Sequence, residues 1–105
     1  MASYKDILNL AKRGRLLSFG EDVFFLASKG RLSSIVVATD ISSRYLSRLN
    51  SCSKNLDLID LGLNKEELGD LIDMPPINFI GVKDRNIFKK IKSIRKEIND
   101  GKEKE

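Results

Sequence analysis

The chain predicts an α/β fold, a three-layer α/β/α sandwich around a four-stranded mixed sheet, on three observations. Segments of helical periodicity alternate with short apolar runs, and strands separated by helices must be joined by crossovers rather than tight hairpins. One run, Ser34-Ile35-Val36-Val37-Ala38-Thr39, is β-branched and lacks polar alternation, the pattern of a strand buried on both faces in mid-sheet. The length of 105 residues, 41% hydrophobic and 32% charged, suits one core, because two would each approach the lower size limit for unaided folding. The domain is expected to span residues 1–100, with 101–105, GKEKE, as a disordered polar tail.

Each element has its own signal. Ser3-Tyr4-Lys5-Asp6 forms a capping box, and Tyr4, Ile7, Leu8 and Ala11 repeat at helical spacing, so a first amphipathic helix ends near Gly14. Leu16 and Leu17 open a very short strand. Ser18-Phe19-Gly20-Glu21 has the S-x-x-E capping spacing, which predicts a second helix over 18–29 stopped by Gly30. After the central strand, a helix over 40–50 turns Tyr45, Leu46, Leu49 and Cys52 inward and sets Arg44 and Arg48 one turn apart outward. A strand over 56–61 follows. Asn64-Lys65-Glu66-Glu67 caps a brief helix ending at 72, before Met74-Pro75-Pro76. A strand over 77–82 leads to Asp84, the cap of the last helix. There Ile87, Ile91, Ile94 and Ile98 form one stripe, and Arg85, Lys89, Lys92 and Lys96 the opposite one.

Composition narrows the function classes. Without a single His, and with Cys52 as the lone cysteine, the chain lacks the commonest general base and any multi-cysteine metal site. On a predicted apolar face, Cys52 reads as a small hydrophobe. No glycine pattern cradles phosphates. Glu66, Glu67, Asp70 and Asp73 read as capping and solubilising charges rather than acid/base or magnesium chemistry. No enzyme activity and no cofactor is expected. No apolar run approaches the roughly 18 residues of a spanning helix, and Lys5 and Asp6 interrupt any signal peptide, so the expected location is cytoplasmic with no membrane partner. Charge is blocked: nine Lys and Arg against four Asp and Glu over 1–54, two against seven over 55–84, and eight against four over 85–105. Basic surfaces of this kind suit a polyanion, nucleic acid above all, although lysine-rich solubilisation produces the same excess.

Two apolar features stand out. Phe24 and Phe25 diverge by about 100° on a helix, so either both are buried between helix and sheet or one of them is an exposed stacking or contact residue. Met74-Pro75-Pro76-Ile77 either closes a helix or presents a stiff lip to an unstacked base.

The succession ILNLAKRGRLLSFGED, ASKGRLSSIVVATDISS, Cys52, NKEELG and INFIGVKDRNIFKKI resembles the kink-turn-binding ribosomal protein family, large-subunit protein seven-Ae and its short bacterial relatives, over about residues 4–91. The resemblance implies an α/β/α domain that binds structured RNA, including ribosomal RNA, within a ribonucleoprotein, as a monomer with no small-molecule substrate. The family's Gly-x-Asn-Glu-x-x-Lys motif at the start of the second helix falls on Phe19, Glu21, Asp22 and Phe25 in one register. With Gly20 as the motif glycine, the lysine position falls on Leu26. Neither register keeps the lysine. The resemblance thus assigns the RNA face to Ser18, Phe19, Gly20, Glu21, Asp22 and Phe25. Lys12, Arg13, Arg15, Lys29 and Arg31 are expected on phosphates, and Met74, Pro75, Pro76 and Ile77 over a base. The alternative is a protein-interaction module that kept the fold and lost specific RNA recognition, anchored by Phe19, Phe24 or Phe25.

Overall fold

Helices and strands alternate through the residues that the computed structural model describes, 3–52 and 56–103, those from 96 onward by backbone alone. In order they are α1 (Tyr4–Arg13), β1 (Leu17–Ser18), α2 (Glu21–Ser28), β2 (Ser34–Val37), α3 (Ser43–Cys52), β3 (Asp57–Asp60), α4 (Lys65–Leu71), β4 (Phe79–Val82) and α5 (Arg85–Glu103). The strands form one mixed sheet in the order β1-β4-β2-β3. As its unbroken apolar run requires, β2 is interior: it pairs parallel with β3, Val36 opposite Ile59, and antiparallel with β4, Val36 opposite Ile80.

Alternation along β2 divides the core in two. Val36, with Leu17, Ile59, Ile80 and Val82, faces Leu8 and Ala11 of α1, Leu68 of α4 and Ile87 and Ile91 of α5. Ile35 and Val37, with Phe79, face Val23, Phe24 and Ala27 of α2 and Leu49 of α3. This is the three-layer sandwich, and burying each of its Val, Leu, Ile and Phe side chains contributes about 1.5–3 kcal/mol.

Two expected capping boxes form: Ser3 with Asp6 at α1, and Asn64 with Glu67 at α4. The third does not. Ser18 is taken up by β1, opposite Gly81, and is buried with no hydrogen-bond partner for its hydroxyl. The cap of α2 is Gly20, at φ 60° and ψ −138°, with no side-chain hydrogen bond. That conformation is open to glycine and strained for any L side chain. Strand pairing thus outcompetes the S-x-x-E spacing, and α2 starts three residues later than expected. Likewise α3 starts at Ser43, with the Tyr45 amide donating to the Ser42 hydroxyl at 3.3 Å. β4 starts only at Phe79, because the Ile77 amide donates to the Lys65 carbonyl instead of joining the sheet.

On α5, Ile87 and Ile91 are buried and Ile94 half-buried, while Arg85, Lys89 and Lys92 are exposed. The side chains of Lys96 and Ile98 lie outside the described residues. The helix continues through Glu103, over the first residues of the expected tail, and 104–105 lie outside the described residues.

Candidate nucleic-acid interface

β1, β2 and β3 run in one direction and β4 against them. The helices that follow the first three strands therefore all begin at one end of the sheet, where the chain also enters β4. Open α/β sheets place ligands outside the carboxyl ends of such strands. Here that end holds a cleft of about 320 Å³, formed by Gly20, Glu21 and Phe24 at the start of α2, Tyr45 of α3, and segment 76–79. Its walls are aromatic: the Phe79 ring meets Phe24 edge-on at 5.2 Å and Tyr45 at 5.5 Å between centroids. Asn78 adds a buried side-chain carbonyl with no hydrogen-bond partner.

The rim carries a charge pair. Arg48 donates from both terminal nitrogens to the two carboxylate oxygens of Glu21, at 3.0 and 2.7 Å, and its guanidinium lies 3.8 Å from the Phe24 ring centroid. The hydrogen bonds from Arg48 hold the Glu21 carboxyl below its ordinary pKa, and the same contact raises that of Arg48.

The structure divides the expected RNA residues. Gly20, Glu21, Pro76 and Ile77 come together at the cleft. Their approach depends on Gly69, because a Cβ there would collide with the carbonyl oxygens of Pro75 and Met74, and α4 could not lie against that loop. Pro75 is exposed, whereas Met74 packs on the core. Of the adjacent phenylalanines only one is buried: Phe24 is 8% exposed and Phe25 58%. Asp22 is exposed beside Phe25, and Phe19 is half-buried against the core. Ser18, sealed under the sheet edge, does not reach the surface of this end.

The basic residues lie elsewhere. Lys12 donates to the Ile72 carbonyl at 2.6 Å and so caps the end of α4. Arg13 and Arg15 flank the turn from α1 into β1, and Lys29 and Arg31 the turn from α2 into β2, all exposed. Both turns sit at the amino ends of the strands, and that of Lys29 and Arg31 is one length of α2, about 12 Å, from the helix start at the cleft. Cations at the cleft end include Arg44 and Arg48 on α3 and Lys65, the first residue of α4, whose carbonyl accepts from the Ile77 amide. Sequence periodicity turned Arg44 and Arg48 outward, but only the strand order places α3 beside α2. Cys52 is half-buried, its thiol 3.7 Å from the Leu49 carbonyl. Among the described residues, no group of three His, Cys, Asp or Glu could hold a metal ion, and no helix is long and apolar enough to cross a membrane.

No protein-family model and no curated protein sequence matches the chain. Solved structures do. A protein of unknown function from Bacillus halodurans C aligns at TM-score 0.75 and 25% identity, over 91% of this chain and 99% of the other. The Giardia lamblia 15.5kD RNA binding protein aligns at TM-score 0.67 and 10% identity, over 90% of this chain and 83% of the other. The chain has the α/β fold of that RNA-binding protein.

Proposed function

We propose that the chain is a non-catalytic RNA-binding domain that receives structured RNA at the carboxyl end of its sheet. The observation that carries this reading is the meeting of the α2 start with the Pro76–Ile77 lip around an aromatic cleft. A ring-walled cleft with a half-exposed cation at its rim suits an unstacked base and its phosphate. Fold likeness to an RNA-binding protein and the family resemblance of the sequence support it. Of the two motif registers, the one beginning at Phe19 puts Glu21, Asp22 and Phe25 at motif positions, and all three are exposed. The other puts Val23, fully buried, where an RNA-facing residue is required.

In that register a carboxylate and a phenyl ring replace the asparagine and lysine, so kink-turn specificity is weak. Wild-type dissociation constants for a kink-turn stem and for a scrambled stem should both fall in the non-specific range, roughly 10⁻⁴ to 10⁻⁶ M. RNA crosslinked in cells and sequenced after purification tests the reading, and an RNA-free preparation contradicts it. Exposure of Phe25 favours the second reading, a protein-interaction module. That reading predicts capture of a protein that Phe25→Ala releases.

A further inference from the structure

The RNA-binding reading uses a cation at the cleft rim but gives no role to the Glu21 carboxylate that occupies the Arg48 guanidinium. A guanidinium offers the same two-pronged fork to a carboxylate and to a phosphate. Stacking on Phe24, a wall of the cleft, holds the Arg48 fork in place whichever anion fills it. The side chains of Arg48 and Glu21 are 49% and 76% exposed. A pair this open is screened and weakly held, so one anion can readily replace the other. Glu21 is also the first residue of α2, where the helix N-terminus favours an anion of either kind.

We propose that Arg48 is the phosphate-binding residue of the cleft and that Glu21 is its built-in competitor, a carboxylate that fills the fork until an RNA backbone phosphate displaces it. The proposal rests on the RNA-binding reading. It makes docking an exchange of anions on one guanidinium, and it accounts for how an acidic residue can stand at an RNA-facing helix start.

The test is a double-mutant cycle read by fluorescence anisotropy. It uses a labelled kink-turn stem-loop RNA with wild type, Glu21→Gln, Arg48→Gln and the double variant. Freed of its competitor, Arg48 should bind phosphate better, so Glu21→Gln should tighten binding about two- to fivefold. Arg48→Gln should weaken it. In the Arg48→Gln background, Glu21→Gln should bring no gain beyond that of Asp22→Asn, which removes the neighbouring carboxylate and leaves the pair intact. If Glu21 merely repels RNA, its removal tightens binding equally with and without Arg48, and that additivity overturns the proposal. Failure of every variant to bind, with melting curves showing all of them folded, overturns the RNA-binding reading and this proposal with it.

Discussion

Phe24 and Phe25 are neighbours in sequence and opposites in environment, which makes them the simplest residues to test. Phe24→Ala should cost about 3–5 kcal/mol, as removal of a buried aromatic does, and should also undo the stacking that orders Arg48. Phe25→Lys should stay within about 0.5 kcal/mol of wild type, because an exposed ring has little packing to lose. Urea unfolding of the two variants checks both values. The double change Glu21→Asn, Phe25→Lys should then recover about 1–3 kcal/mol of preference for a kink-turn over a scrambled stem. The pair at the rim also makes a pH prediction. The carboxyl of Glu21 is held below its ordinary pKa, so the folded state binds its proton less readily than the unfolded chain does. The stability this confers is complete above the unfolded pKa and is lost as pH falls through the folded value. Carboxyl titration by NMR should show Glu21 ionising at lower pH than in the Arg48→Gln variant, and identical curves would contradict the pair.

Among elements, α4 and its following loop show why a weak sequence motif can matter. Glu67-Leu68-Gly69 carries little information by spacing alone, yet Gly69 lies where any Cβ meets the carbonyls of Met74 and Pro75. Gly69→Ala gains up to about 1 kcal/mol of helix preference. The obstruction is backbone, which cannot swing aside, so the net effect should be a loss of about 1–3 kcal/mol. Displacement of Pro76 and Ile77 should also weaken RNA binding. Thermal melts alongside anisotropy check this, and a stabilised variant with intact binding would contradict it. The same scale shows what periodicity could and could not convey. The order of elements, the interior position of β2, the stripe on α5 and two capping boxes were legible, because each rests on local chemistry. The start of α2 was not, because Ser18 could cap a helix or pair with β4, and only the presence of β4 decides. Nor could spacing show that Arg48 of α3 reaches Glu21 of α2, since that contact follows from which strands are neighbours.

For the molecule as a whole, the sheet separates two chemistries: an aromatic cleft with Arg44 and Arg48 at one end, and Arg13, Arg15, Lys29 and Arg31 at the other. Sequence reasoning put the start of α2, the 74–77 loop and the second group of cations on one RNA face and gave Arg44 and Arg48 no RNA role, because nearness along the chain hides which end of the sheet each turn occupies. A stem long enough to pass both ends should engage both. The triple variant Arg13→Ala, Arg15→Ala, Arg31→Ala should then flatten the dependence of log affinity on log salt by about 2–3, the worth of roughly three phosphates, while Arg48→Gln flattens it by about one phosphate. Amide hydrogens should exchange most slowly at Ile35–Val37, buried between two strands and two helix layers. The measurement that bears most directly on the central claim is amide exchange across the chain with and without a kink-turn stem-loop RNA. RNA at the cleft predicts added protection at residues 20–25, 44–48 and 77–79. Protection confined to α5, or none at an RNA concentration that saturates binding, would contradict it.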